Sequence, residues 1–297
     1  MKIFITGATG YIGGSVAVYL SNAGHQIRGL VRNQEKISLL AERGIAPVFG
    51  DLHDVDLLIH EARQADIVVN AANSDDENTI DAFLSALQDS GKSLIHTSGT
   101  SVVADAAGGN SLSRTVFEEQ QPLMVPPAKQ ARRNLDLKVL AARGMRGIVL
   151  CNSLIYGEGK LPETQSVQIP LLVNQARASG VVRIVGKGLN SWSNVHIDDV
   201  SELYRLAVES APAGAFYFVE NGETSFAELG RAISERLHLA APESWTEEEA
   251  AKVWGLARAR YSLGSNSRVR SNRARQELGW KPNYASVIDW IRGEMKI

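Results

Sequence analysis

Three glycines near the start of the chain have the spacing of a phosphate-binding loop. They lie in the segment Thr6–Gly13, between the apolar run Lys2–Ile5 and the helical pattern Gly14–Leu20. Glycines at this spacing let a strand turn sharply, let the backbone approach a phosphate and let the next helix pack closely on the sheet. N–H groups at the start of that helix would face the anion. The segment therefore predicts a dinucleotide pyrophosphate site, with a turn that binds nothing as the alternative. The predicted contacts are Gly7, Thr9, Gly10, Tyr11, Ile12 and Gly13.

The residue that ends the second predicted strand indicates which dinucleotide binds. An NAD-specific site usually carries an acid there, which accepts hydrogen bonds from the ribose hydroxyls. In this chain the position is taken by Arg32, about twenty residues past the last loop glycine. A guanidinium can clamp a ribose 2′-phosphate with charge-assisted hydrogen bonds. The sequence thus favours NADP, and a solvated cation at the end of a strand is the alternative.

Apolar strands that alternate with amphipathic helices must position this loop. This alternation predicts an α/β, doubly wound parallel sheet of the Rossmann type. The rhythm breaks after Cys151, which predicts a smaller C-terminal α/β lobe. We assign residues 1–155 to the cofactor domain, rejoined by about 190–215, and residues 156–189 and 216–297 to a substrate lobe. The cleft between the two is the default ligand site. The strand-like runs are Ile3–Ile5, Gln26–Arg32, Ala46–Phe49, Ile67–Ala71, Ser93–Thr97 and Gly147–Cys151.

Composition narrows the classes of partner. The chain has 297 residues, of which 44% are hydrophobic, and its 31 basic and 33 acidic residues give a net charge of −2. This balance predicts neither nucleic-acid nor anionic-membrane binding, and the N-terminus has no signal-peptide pattern, so we expect a cytoplasmic protein. Cys151 is expected to be a buried thiol, and the six histidines have no ligand spacing that would predict a metal site. The expected partners are a small-molecule substrate and, in a homodimer, a second copy of the chain.

Several motifs together resemble the extended short-chain dehydrogenase/reductase family. Besides the glycine loop these are Gly50-Asp51, Asn70-Ala71-Ala72, the segment Ser153–Gly157 and the segment Trp192–Val200. The resemblance runs over nearly the whole chain. It implies that Asp51 and Leu52 contact adenine, that Ala71 and Ala72 line the cofactor channel, and that Asn152, Ser153 and Leu154 lie near the nicotinamide.

The proton-transfer residues of that family do not match this chain. Members carry a tyrosine and a lysine four residues apart on the helix before the sixth strand, where Ala128 and Arg132 stand here. A guanidinium stays protonated and cannot lend a proton as a tuned lysine can. The usual serine position after the fifth strand holds Gly99, flanked by hydroxyls. Ser98 or Thr100 could substitute, and hydrogen bonding within a turn is the alternative for both.

Two further groups are candidate proton donors. Tyr156 is expected to enter the cleft near the nicotinamide, and Lys129 stands one residue beyond the empty tyrosine position. Tyr156 and Lys160 have the family's spacing, but two glycines between them make a helix improbable. The candidate catalytic residues are therefore Thr100, Tyr156, Ser98 and Lys129.

Three functions are consistent with these patterns. The favoured one is an NADP-dependent oxidoreductase or epimerase, with an unusual proton donor, that acts on a small carbonyl or hydroxyl substrate. The alternatives are a non-catalytic NADP(H)-binding redox sensor, and an isomerase or lyase in which the cofactor is structural. Arg268 and Arg270 precede the last helices, where family members often hold an anionic substrate, and an exposed loop charge is the alternative.

Overall fold

The computed structural model describes residues 1–296. Its β-strands are β1 (Lys2–Thr6), β2 (Gln26–Val31), β3 (Ile45–Phe49), β4 (Ile67–Asn70), β5 (Ser93–Gly99), β6 (Phe117–Glu118), β7 (Arg146–Asn152), β8 (Leu154–Tyr156), β9 (Arg183–Val185), β10 (Ser191–His196), β11 (Ala215–Val219), β12 (Glu223–Ser225), β13 (Glu243–Trp245) and β14 (Val269–Arg270).

The α-helices are α1 (Tyr11–Asn22), α2 (Ile37–Ala41), α3 (Val55–Gln64), α4 (Glu77–Leu87), α5 (Gln130–Leu140), α6 (Gln168–Ser179), α7 (Ile197–Ser210), α8 (Phe226–Arg236), α9 (Glu247–Trp254), α10 (Leu256–Arg258), α11 (Asn272–Glu277) and α12 (Val287–Gly293). Short 3₁₀ segments follow β5 at Thr100–Val103 and precede α5 at Pro127–Lys129, and a π-helical turn covers Ala259–Leu263.

A seven-stranded parallel sheet carries the fold. Its strand order is β11-β7-β5-β4-β1-β2-β3. Strands β2 and β3 are thus added on one side of β1, and β4 and the later strands on the other side. Successive side chains of a strand face opposite sides, and both faces are covered here. Ile3 and Ile5 pack with α1 and α7, whereas Phe4 packs with α3 and α4. This is the predicted doubly wound α/β fold.

The C-terminal lobe has its own core and small sheets. Strands β12, β10 and β8 form a three-stranded sheet, and β13 pairs with β9. Leu154 and Tyr156 of β8 point into a core that also contains Trp192, Leu229 and Ile291. The large sheet extends to Val219 because β11 pairs in parallel with β7. The lobe boundary assigned at residue 216 therefore falls inside a strand of the large sheet.

Candidate active site

The glycine loop makes close backbone contacts that a side chain would prevent. Gly7 has φ of 69°, and a Cβ built on it would lie 2.5 Å from the carbonyl oxygen of Ala71 at the end of β4. A Cβ on Gly13 would overlap the carbonyl oxygen of Gly7. The loop is thus pressed against both the neighbouring strand and its own helix, as the spacing of the glycines predicts.

The start of α1 fits an anionic group. The helix begins at Tyr11, and the residue before it, Gly10, has no side chain to cap the first N–H groups. A Cβ on Gly10 would have only the Gly7 oxygen within 4 Å, at 3.2 Å, so this side of the loop is open. Unsatisfied N–H groups beside open space form a cradle that suits a pyrophosphate.

The ends of β2 and β3 lie beside this cradle. The two strands pair with Val31 opposite Phe49, so Arg32 and the Asp51 turn emerge at the same edge. Arg32 is exposed, and within residues 1–296 no carboxylate forms an ion pair with it. Asp51 is also exposed and accepts a hydrogen bond from the His53 N–H at 2.7 Å. Leu52 is partly buried and packs against the core cluster that contains Phe4.

Side-chain hydrogen bonds join the ends of β1 and β4 to the middle of β5. Thr6 Oγ1 donates to Asn70 Oδ1 at 2.6 Å, and Asn70 Nδ2 lies 3.3 Å from His96 Nδ1. Beyond Asn70 the chain continues into Ala71, which is partly buried, and Ala72, which is exposed. These bonds fix the strand ends from which the rest of the site projects.

The end of β7 offers one unused polar atom. Asn152 Nδ2 lies 3.3 Å from the Tyr204 hydroxyl, while its buried Oδ1 has no partner among residues 1–296. Ser153 Oγ is occupied, since it donates to the Val219 carbonyl at 2.7 Å. Leu154 is buried in the core of the C-terminal lobe rather than open to the site. Of the three residues expected near a nicotinamide, only Asn152 has a side-chain oxygen that is buried and without a partner among residues 1–296.

A buried polar cluster lies behind β5. Ser98 Oγ donates to Asp136 Oδ2 at 3.1 Å, and Asp136 Oδ1 lies 3.8 Å from His96 Nε2. Burial raises the pKa of Asp136 to about 6 and lowers the pKa of His96 to about 4. Ser98 is therefore a buried donor whose hydroxyl proton is already engaged by a carboxylate.

Arg132 bridges the ends of β4 and β5. Its Nε donates to Asp75 Oδ1 at 2.7 Å and its Nη1 donates to Ser101 Oγ at 3.1 Å. The bond to Arg132 holds the pKa of Asp75 below its usual value. A Cβ on Gly99 would lie 3.5 Å from Arg132 Nη1, so the guanidinium faces the position that a family serine would fill.

Lys129 is half-buried where the two lobes meet. Its Nζ lies 5.4 Å from the centroid of the Tyr261 ring, which belongs to the π-helical turn of the C-terminal lobe. Burial, and next to it the charge of Arg132, lowers the pKa of Lys129. An ammonium with a lowered pKa is a better proton donor near neutral pH than an ordinary lysine.

The other two candidate donors are enclosed by protein. Tyr156 is 0% exposed, and its hydroxyl donates to the Tyr284 carbonyl at 3.3 Å. Burial raises its pKa, the opposite of what a proton donor needs. This placement differs from the expectation that Tyr156 enters the cleft, because β8 turns its side chain into the lobe core. Thr100 is also 0% exposed, and its Oγ1 has no partner in the described part of the chain.

Comparison with known proteins decides the family. A profile of the NAD-dependent epimerase/dehydratase family matches residues 3–218. The chain belongs to this family. The oxidase ucsJ of an Acremonium species is 33% identical over 95% of this chain and 92% of its own length. The 4-hydroxy-2-methyl-3-oxo-4-farnesyl-3,4-dihydroquinoline-1-oxide ketoreductase of Stigmatella aurantiaca is 25% identical over 94% of this chain and 92% of its own.

The fold of the family is also found in solved structures. The dTDP-glucose 4,6-dehydratase DesIV of Streptomyces venezuelae, solved with NAD bound, superposes with a TM-score of 0.78 at 21% identity. The superposition covers 98% of this chain and 95% of that one. The extended short-chain dehydrogenase/reductase resemblance is thereby confirmed, and the relatives are of the oxidoreductase and epimerase/dehydratase types.

The segment after β10 has a structural role in this family member. Both carboxylate oxygens of Asp199 accept backbone N–H groups, from Asn283 at 2.8 Å and from Tyr284 at 3.0 Å. Trp280 Nε1 donates to the Asp199 carbonyl at 3.0 Å. His196 Nδ1 accepts from the Asp198 N–H at 3.2 Å and caps α7. These bonds tie the segment Trp280–Tyr284 to α7.

Sequence reasoning missed three residues of the site. Asp136 stands four residues after Arg132 and shares its helix face, a spacing that could have revealed it. Asp75 and Tyr261 reach the site from distant segments, and nothing in their local sequence indicates this. Among residues 1–296, no cluster of histidine, cysteine or acidic side chains could hold a metal ion. Within the same range no helix is long and apolar enough to cross a bilayer.

Proposed function

We propose that this family member is an NADP-dependent oxidoreductase that reduces the carbonyl group of a small substrate, with Lys129 as the proton donor. The observation that carries the proposal is the position of Lys129. Its half-buried ammonium lies at the lobe junction beside Arg132, at the carboxyl end of the sheet. In open α/β sheets ligands bind at this end.

The cofactor would be held mainly by backbone groups. The glycine loop and the start of α1 would bind the pyrophosphate, Asn152 would approach the carboxamide, and the exposed Arg32 would bind a 2′-phosphate. When bound, NADPH supplies the hydride that this reaction needs. The dehydratase similar in fold binds NAD, so the choice of NADP depends on Arg32 alone.

Lys129 would complete the reduction. As a C–H bond forms at the carbonyl carbon, the π electron pair of the C=O bond moves to oxygen, and the Lys129 ammonium gives that oxygen a proton. Arg132 cannot donate a proton, but its charge stabilises the developing alkoxide. Its bonds to Asp75 and Ser101 hold the guanidinium in place. Lys129 regains a proton from solvent because its side chain is only half-buried.

Lys129 is less buried than the other candidate proton donors. Ser98 is bonded to Asp136, while Thr100 and Tyr156 are fully enclosed. The relatives add support, since one of them is named a ketoreductase and another an oxidase.

Replacing Lys129 with methionine tests the proposal. Methionine keeps the length and apolar stem of the side chain but has no proton to give. We expect the rate of NADPH oxidation with a reactive ketone to fall about 10²- to 10⁴-fold. NADPH affinity should stay within about three-fold, because Lys129 acts in the proton step. The wild-type rate should decline with rising pH at values below the ordinary lysine pKa of about 10.4, and the variant should lack this decline.

Tyr156→Phe is the matched control. Its hydroxyl is buried and bonded to a backbone carbonyl, so turnover should stay within about two-fold of wild type. Full activity in Lys129→Met, or a large loss in Tyr156→Phe, would refute the choice of donor. Tight NADPH binding with no turnover across a broad carbonyl panel would support the non-catalytic sensor instead.

A further inference from the structure

A cavity of about 280 Å³ is lined in part by residues that precede the proposed proton donor, Lys129, in the chain. One wall follows the 3₁₀ segment after β5, and another, Met124–Pro126, leads into Lys129. Both walls are close to the site along the chain. Pro126 accepts a hydrogen bond from the Lys129 N–H at 2.8 Å, and the lining residue Val103 belongs to the same 3₁₀ segment as Thr100. The cavity is therefore bordered by segments that lead directly into the site.

The charged side chains of the cavity are already paired. Arg268 Nε lies 2.6 Å from Glu223 Oε1, and its Nη1 donates to the Ser113 carbonyl. Arg270 binds the other oxygen of the same carboxylate at 3.1 Å. An anionic substrate would thus compete with Glu223 for Arg268 and Arg270, because this one carboxylate already binds both guanidinium groups.

The one acidic side chain of the cavity is bonded as well. Asp105 accepts from the Asn266 N–H at 2.8 Å and from Asn266 Nδ2 at 2.9 Å. The opposite charges of Asp105 and Arg268 make the lining nearly neutral. The remaining surface that a ligand would meet is mostly apolar. The apolar lining residues are Val103, Ala104, Phe117, Met124, Val125 and Pro126.

We infer that this cavity binds the apolar part of an uncharged ketone, and that the substrate carries no phosphate or carboxylate on that side. That the substrate is a ketone rests on the proposed reduction, whereas the preference for an uncharged, apolar group follows from the lining alone. A cavity of about 280 Å³ is at the small end of ligand pockets, which span about 300–1,000 Å³. It suits an alkyl or aryl chain better than a nucleotide.

Two ligands of equal length separate the possibilities. Heptan-2-one and 6-oxoheptanoate share the methyl ketone and the chain, and they differ in a terminal methyl against a carboxylate. Binding to the wild-type protein with NADP⁺ present, measured by calorimetry or ligand-observed NMR, needs no turnover. We expect heptan-2-one to bind at least about ten-fold more tightly, because the carboxylate would be desolvated without a partner. Shortening the ketone should weaken binding about four-fold per methylene.

Glu223→Gln should remove most of the preference. The amide keeps the shape of the side chain but removes the negative charge that Arg268 and Arg270 share, so binding of 6-oxoheptanoate should tighten about ten-fold. Heptan-2-one should change less than about two-fold. Met124 is 66% exposed at the cavity, so Met124→Glu should fold even if Glu223→Gln does not, and it should weaken binding of both ligands.

Val253→Glu is the control for Met124→Glu. Val253 is 57% exposed on α9 and does not line the cavity, so both affinities should stay at wild-type values. Equal affinities of the two ligands, tighter binding of the keto acid, or no saturable binding of heptan-2-one would each overturn the inference. Absence of NADPH oxidation, with the binding preference intact, would instead count against the proposed reduction alone.

Discussion

The site has two halves that offer different kinds of chemical group: a nucleotide half at the ends of β1, β2 and β3, and a donor half at the ends of β5 and β7. At the ends of β1, β2 and β3 the structure offers backbone N–H groups, close glycine contacts and a single exposed cation, Arg32. At the ends of β5 and β7 it offers buried side chains that bond to one another. There Arg132, Asp75 and Ser101 form one set, and Ser98, Asp136 and His96 another.

This difference bears on how the sequence of each half matches the family: the glycine spacing matches, whereas the proposed donor, Lys129, lies one residue beyond the tyrosine position. Backbone recognition of a pyrophosphate needs only a chain that can turn and approach, and spacing of glycines is enough to specify it. Proton transfer needs a particular group with a suitable pKa at one point in space. Any segment that reaches this point can supply the group. Under the proposed function, nucleotide binding therefore depends on glycine spacing, whereas proton transfer depends on Lys129 and its neighbours.

The largest expected effect is a loss of cofactor affinity in the nucleotide half. Gly10→Val places a branched side chain on the open side of the loop, where the pyrophosphate would lie. Because only the Gly7 oxygen stands near that Cβ, the fold should survive. We expect NADPH affinity to fall about 10³-fold or more, about 4 kcal/mol, in a titration of cofactor fluorescence.

Gly293→Val is the control for this change. A Cβ there meets nothing within 4 Å, so both the circular dichroism spectrum and NADPH affinity should match wild type. If folded Gly10→Val kept its affinity, the loop would be a turn without a ligand, and the backbone account of this half would fail.

Local signals made the fold and the nucleotide half predictable. The alternation of apolar strands with amphipathic helices predicted the doubly wound sheet, and the predicted runs Ile3–Ile5 and Gly147–Cys151 lie within β1 and β7. The donor half depends on contacts between distant segments. Asp75 meets Arg132 across 57 positions, and Tyr261 meets Lys129 from the other lobe. Tyr156 was misplaced for the same reason, since only tertiary pairing of β8 with β10 shows which way its side chain turns.

The next effect concerns the stability of the donor half. Burial raises the Asp136 pKa to about 6, so the folded protein holds this proton up to about pH 6 while the unfolded chain releases it near pH 4. Asp136 therefore contributes stability below pH 4 that is lost as pH rises to about 6. Asp136→Asn removes this loss. Relative to wild type, the free energy of unfolding of the variant should increase by about 2–3 kcal/mol between pH 4 and pH 6.

His96 provides the opposite control. Its pKa is lowered by burial to about 4, so its contribution to stability grows as pH rises from 4 to about 6.5 and opposes that of Asp136. His96→Gln should therefore lose stability relative to wild type over that range. Urea denaturation at several pH values measures both variants. A pH-independent difference between Asp136→Asn and wild type would mean that Asp136 titrates normally and that the cluster is hydrated.

The smallest expected effect tests the one side chain on which the nucleotide half depends. If Arg32 binds the 2′-phosphate, the wild-type protein should prefer NADPH to NADH by about ten-fold, since such a contact is worth about 1.5–3 kcal/mol and part of this is offset by ordering an exposed side chain. Arg32→Ala should weaken NADPH binding by that factor and leave NADH binding within about two-fold.

Arg43→Ala, which changes another exposed cation, should leave both affinities unchanged. Because the contact is exposed, the preference should also shrink as salt is raised from about 0.05 to 0.5 M. Equal affinities of the two cofactors in the wild type would remove NADP from the proposal. The nucleotide half would then consist of backbone recognition alone, and the difference between the two halves would be sharper.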